Sequence, residues 1–98
     1  MGNETDLRIL IVDDTILYRK VVSDVLGELP GVIVVGSAHN GKAALGKIAN
    51  LKPDLLILDI EMPEMDGLEV LRRMAKDAPA VGALMLSSLT EEGSDATL

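Results

Sequence analysis

The 98-residue sequence contains no cysteine, tryptophan or phenylalanine, and Tyr18 is its only aromatic side chain. Without cysteine there is no disulfide, no thiolate nucleophile and no zinc–thiolate site, which is compatible with a reducing compartment. With one aromatic ring there is nothing from which to build a base-stacking platform or an aromatic cofactor cage. Histidine is nearly absent too: His39 alone cannot make a histidine metal site, and next to Asn40-Gly41 it reads as an exposed residue at a loop or helix start. Positive charge is sparse. Nine lysines and arginines are scattered among sixteen acids, giving a net charge of -7 with no basic block, which disfavours nucleic acid and anionic membrane surfaces as partners. No apolar run is long enough to span a bilayer and the opening MGNETD is too polar for a signal peptide, so a cytoplasmic location is expected. N-myristoylation at Gly2 is disfavoured because Asp6 stands where the motif requires Ser or Thr.

What the chain has in quantity is aliphatic side chains, enough for the core of a single domain of this size. LRILIV at residues 7–12 is a short continuous apolar run ending in two acids, and LLIL at 55–58 repeats that form before Asp59. VIVVGS (32–37) and ALMLSS (83–88) are two more such runs. Uninterrupted apolarity at strand length predicts strands covered on both faces. Between them lie helical patterns. Leu17, Val21, Val25 and Leu29 form a stripe, widened by Val22 and Leu26 and ended by Pro30-Gly31. Ala44, Leu45, Ile48 and Ala49 line one side of residues 41–51, and Leu68, Leu71 and Met74 line residues 68–75. Strands alternating with helices at this spacing predict right-handed crossovers and a parallel sheet with helices on both faces. Thr90 is placed to cap a further helix, with Glu91 and Glu92 in its first turn.

In open parallel sheets ligands gather at the carboxyl ends of strands, where strand order reverses. That rule brings together Asp13 and Asp14 after the first strand, Asp59 after the third, and Ser87 with Ser88 after the fourth. Carboxylates crowded this way repel one another, so a cation belongs among them. Hard oxygens with no His or Cys nearby favour magnesium or manganese, with a phosphate oxygen as a further partner. An acid beside such a cation can act as a nucleophile towards a phosphoryl group and form an acyl phosphate. Asp59 takes that role in this reading, and a hydroxyl from Ser87 or its neighbour Ser88 binds a phosphate oxygen. Asp66-Gly67 and Met62-Pro63 read as turn chemistry, with Asp66 capping the next helix, and Met62, Met65, Met74 and Met85 read as packing or loop residues.

Taken together, ILIVDD, PDLLILDIEMPEMDGLEVLRRM and ALMLSSLTEEG resemble the receiver domain of bacterial two-component response regulators over essentially the whole chain. The wording DIEMPEMDGLEVLRRM and SSLTEEG is most similar to the receiver of chemotaxis methylesterases. The resemblance implies an α/β, flavodoxin-like, doubly wound parallel sheet, incomplete here, with about four strands and three to four helices. It implies that Asp59 accepts a phosphoryl group from a sensor histidine kinase, and that Asp14, Asp59 and the backbone carbonyl of Glu61 bind magnesium. Asp13 completes the acidic pocket, and Ser87 matches the switch hydroxyl that moves toward the new phosphoryl group.

The resemblance also exposes a departure. Receivers have a fifth strand that starts at a Lys-Pro pair, followed by a fifth helix, and residues 1–98 read as a receiver domain lacking both, with no methylesterase domain. Lys76 falls too early to be that lysine. The expected activity is that of a phosphoacceptor regulating an output domain or partner, and not of an enzyme beyond self-phosphorylation and self-dephosphorylation. The alternative is a non-switching receiver fragment that serves as an interaction or structural module, dimerising or swapping through the exposed fourth-strand edge. A hydrolase with an Asp nucleophile lacks its second acid two residues on, and flavin binding has only Tyr18 for stacking.

Overall fold

The computed structural model describes residues 6–60, 62 and 65–86. Strands and helices alternate through it: β1 (Leu7–Val12), α1 (Ile16–Gly27), β2 (Val32–Ala38), α2 (Gly41–Leu51), β3 (Leu55–Asp59), α3 (Gly67–Asp77) and β4 (Gly82–Leu86). All the strands pair in parallel in the order β2-β1-β3-β4. The uninterrupted aliphatic runs have the expected cause, since side chains alternate between two covered faces. Leu10, Val12, Leu56 and Leu58 pack against Ala44 and Ile48 of α2 and Val70 and Met74 of α3. Ile9, Ile11 and Ile57 face the other way, toward Val22 and Leu26 of α1. The sheet is therefore doubly wound, as the sequence pattern predicts. The further helix expected near Thr90, Glu91 and Glu92 lies outside the described residues.

Helix α1 corrects one detail. The stripe built on Leu17, Val21, Val25 and Leu29 is the exposed side, with Leu17 at 69% and Val25 at 58% accessibility, and the widening residues Val22 and Leu26 make the contact with the sheet. Apolar residues cover so much of this helix that periodicity alone does not choose the buried side. The helix also ends earlier than Pro30-Gly31: Glu28 is its C-cap, and Gly31, at φ 80°, turns the chain into β2.

The other two helices start where the sequence says they should. Asn40 Oδ1 accepts the N–H of Ala43 at 2.7 Å to cap α2, and Asp66 Oδ1 accepts the N–H of Glu69 at 3.0 Å to cap α3. Met62 and Met74 are buried, and Met65 and Met85 pack against the same cluster, so these methionines are packing residues. β4 is the outer strand of the described sheet, and Leu84 on it is 51% exposed. Among the described residues no helix is long and apolar enough to cross a membrane.

Candidate metal centre

β1 and β3 are the central strands, and strand order reverses between them, with β2 to one side and β4 to the other. This is the switch point at which a doubly wound sheet opens a crevice. Their pairing sets Val12 opposite Leu58, so the next residues, Asp13 and Asp59, emerge side by side. Both continue the alternation of Ile9, Ile11, Leu55 and Ile57, which places them on the same side of the sheet. Asp14 follows at the mouth. Carboxylate oxygens of Asp13, Asp14 and Asp59 lie within 4.8 Å of one another. Asp13 is 1% exposed and Asp59 2%, while Asp14 is exposed.

Asp13 is held by backbone contacts. Its Oδ1 accepts the Thr15 N–H at 2.8 Å, its carbonyl oxygen accepts the Arg19 guanidinium at 2.7 Å, and its N–H donates to the Ala38 carbonyl at 3.1 Å. Its Oδ2 is buried with no hydrogen-bond partner among the described residues. Burial pushes the Asp13 carboxyl above its ordinary 3.8; the Thr15 N–H opposes this, and the charges of Asp59 and Asp14 add to it. Two full charges within 4.8 Å of one another repel by at least about 3.5 kcal/mol at an effective dielectric of about 20.

An acceptor buried with no donor among the described residues, and crowded by like charges, gives these three acids the character of residues that could hold a cation. The donor set is all carboxylate oxygen, which fits a hard divalent ion, magnesium or manganese, and not zinc.

The structure thus brings together Asp13, Asp14 and Asp59. Glu61, Ser87 and Ser88 lie outside the described residues, as does the Pro63 half of the Met62-Pro63 turn. The strand leading to Ser87 does reach this rim, because Leu86 pairs with Asp59 and its carbonyl accepts the N–H of Ile60 at 3.2 Å. Lys76 is exposed in the last turn of α3, away from the acids. His39 is exposed, as expected.

Sequence reasoning missed Thr15 and Arg19 as supports of Asp13. A signal for each was present. Thr15 stands two residues after Asp13, the spacing of an Asx turn, and Arg19 is a cation on the same helical side as Val22 and Leu26. The Asp66-Gly67 pair suggests turn chemistry, but glycine at 67 answers to close approach: a Cβ there would stand 2.5 Å from the Asp59 carbonyl oxygen.

Comparison with known proteins agrees with this architecture. Residues 9–97 match the response regulator receiver domain. The chain is 62% identical over 94 residues to a protein-glutamate methylesterase/protein-glutamine glutaminase of Desulfotalea psychrophila, covering 95% of this chain and 26% of that protein. It is 52% identical over 92 residues to the protein of the same description from Nocardioides sp., covering 94% and 25%. Among solved structures, the response regulator domain of Thermotoga maritima CheB superposes with a TM-score of 0.81 at 43% identity, covering 94% of this chain and 68% of that one. The signal receiver domain of NarL from Mycobacterium tuberculosis gives 0.78 at 34%, covering 90% and 71%. The chain belongs to the response regulator receiver family. It spans about a quarter of the length of the curated methylesterase relatives it matches.

Proposed function

We propose that the chain is the phosphoacceptor unit of a two-component system, with residues 1–98 acting as one receiver domain. In this reading Asp59 takes the phosphoryl group from a sensor histidine kinase. Magnesium, or manganese in its place, is held by Asp14, Asp59 and the backbone carbonyl of Glu61, while Asp13 completes the pocket and Ser87 supplies the hydroxyl that follows the phosphoryl group. The observation that carries the reading is the parallel register of β1 and β3, which leaves Asp13 and Asp59 adjacent and buried at the switch point beside Asp14.

A divalent ion bound there supplies charge screening, so that an anionic phosphoryl group can approach a cluster of acids. The rest of the chemistry falls to the chain. A carboxylate oxygen of Asp59 attacks phosphorus as the phosphorus–nitrogen bond of a phosphohistidine breaks. The bonding electron pair stays on the imidazole, and an acyl phosphate forms on Asp59. Asp13, clamped by Thr15 and Arg19, keeps Oδ2 as an acceptor with no partner among the described residues. Asp14 guards the open side.

The output is a partner or domain of the methylesterase type, since the relatives are described as protein-glutamate methylesterases and the chain spans about a quarter of their length, and its setting is chemotaxis. No turnover is assigned to the receiver beyond gaining and losing its own phosphoryl group. The proposed location is the cytoplasm, and neither nucleic acid nor a membrane is among the proposed partners.

Incubation with a small acyl phosphate and magnesium, read by intact mass, tests the reading. One phosphoryl group should be added to the native chain and none to Asp59→Asn; equal addition to both contradicts it.

One observation favours a second reading, in which the chain acts as an interaction module through self-association: β4 edges the described sheet with Leu84 half exposed. Sedimentation that shows a dimer broken by Leu84→Lys supports it, and a monomer at all concentrations removes it.

A further inference from the structure

The junction between β2 and α2 carries none of the acids, yet it touches the end of β1, where Asp13 stands, and the segment that follows β3 and Asp59. On one side the carbonyl of Ala38, the last residue of β2, accepts the N–H of Asp13 at 3.1 Å. On the other, Gly41, the first residue of α2, lies against the connection between β3 and α3. A Cβ at Gly41 would stand 2.7 Å from the Met65 carbonyl oxygen, 2.9 Å from Met65 Cβ and 2.8 Å from Val70 Cγ2, all closer than the 3.0 Å that real Cβ atoms respect. Gly41 does not have a positive φ, so glycine is required here by space and not by backbone conformation. Asn40 fixes this first turn through its bond to Ala43. The α3 helix is in turn seated on β3. A Cβ at Gly67 would stand 2.5 Å from the Asp59 carbonyl oxygen, and the Gly67 N–H donates to Ile60 at 2.9 Å.

The last paired residues of β1 and β3 are Val12 and Leu58. The register sets Asp13 beside Asp59, but no pairing joins these two residues themselves, so contacts from outside the two strands add to the ladder in holding their separation. We infer that Gly41 is a positioning residue for the acid pocket: with Ala38 it makes the β2–α2 junction an outer brace that fixes the separation of Asp13 and Asp59. This rests on the pocket being a metal site, where magnesium accepts ligand oxygens only in near-ideal octahedral geometry. A methyl group at position 41 meets backbone and a buried valine, not the flexible tip of a side chain. The displacement passes through Met65 and α3 to Asp59, or back through Ala38 to Asp13.

The test compares Gly41→Ala with Gly46→Ala in the 98-residue chain. Both changes lie in α2, but a Cβ at Gly46 meets nothing within 4 Å. In the metal-free proteins the amide resonances of Asp13 and Asp59 should shift in Gly41→Ala and stay in place in Gly46→Ala. At a temperature where each variant is fully folded, the magnesium Kd should rise about tenfold in Gly41→Ala, the loss typical of displaced supports around a metal, and keep the native value in Gly46→Ala. Asn40→Ala loosens the same junction without adding atoms and should raise Kd less; it also carries the test if Gly41→Ala does not fold. Lower thermal stability with native magnesium affinity and unmoved Asp13 and Asp59 resonances would make Gly41 a packing residue and overturn the brace. If the native chain itself binds no magnesium, the metal reading fails, and the metal-free resonances still decide whether the brace exists.

Discussion

The two rims of the sheet use the same side chain for opposite ends. At the rim where β3 begins, Asp54 is exposed and hydrogen-bonded through three of its atoms: its Oδ2 accepts the Arg8 N–H at 3.0 Å, its own N–H donates to the Arg8 carbonyl at 2.8 Å, and its carbonyl accepts the Gly82 N–H at 3.0 Å. The Arg8 guanidinium closes the end of α2 on the Leu51 carbonyl at 2.5 Å. That aspartate ties β1, β3 and β4 together. At the rim where β1 and β3 end, Asp13 is buried, crowded by Asp14 and Asp59, and keeps an oxygen with no partner among the described residues. At the first rim Asp54 and Arg8 are tied into the fold by hydrogen bonds. The other holds an unmet demand for positive charge, and unmet demand of that kind marks a binding site.

Substitutions at each rim can break or sharpen this contrast. The largest difference should appear in phosphoryl uptake, which intact mass will show to be lost in Asp59→Asn and retained in Asp54→Asn. Next comes magnesium affinity. Asp14→Asn should weaken it at least about tenfold by calorimetric titration, whereas Asp54→Ala should leave it unchanged while costing about 0.5–1.5 kcal/mol of stability through its lost acceptor.

Stability should respond in the opposite sense at Asp13. Burial holds its proton in the folded state to higher pH than in the unfolded chain, where the ordinary value is 3.8. The stability this contributes is present below that value and is lost as pH rises through the raised folded value. In metal-free protein, Asp13→Asn should therefore be more stable than native at neutral pH by about 1–3 kcal/mol, with the advantage shrinking as pH falls toward 4. Denaturant melts across that range check both the sign and the window.

The smallest effect concerns α1. Val25→Ser should change stability by no more than about 0.5 kcal/mol, against about 2 kcal/mol for Leu26→Ala one residue away. Equal costs would restore the stripe that the sequence pattern suggested.

Much of the acid pocket was legible in the sequence because strand ends are. An aliphatic run that stops at an acid states both the strand and the place where its carboxylate emerges, and LRILIV with LLIL did so for Asp13, Asp14 and Asp59. The helix caps at Asn40 and Asp66 were equally local. What was not legible arises from packing between distant elements. Nothing near Gly41 in the sequence announces Met65 and Val70, and nothing near Gly67 announces the Asp59 carbonyl. The exposed side of α1 was misread because valine and leucine occupy both the buried and the open sides.

Magnesium titration followed by amide resonances tests the central claim most directly. The account predicts saturable one-to-one binding, with the largest shifts at Asp13, Asp14 and Asp59, abolished in the Asp14→Asn/Asp59→Asn double variant. Shifts that spread over the surface without saturating, or that survive in the double variant, would contradict it.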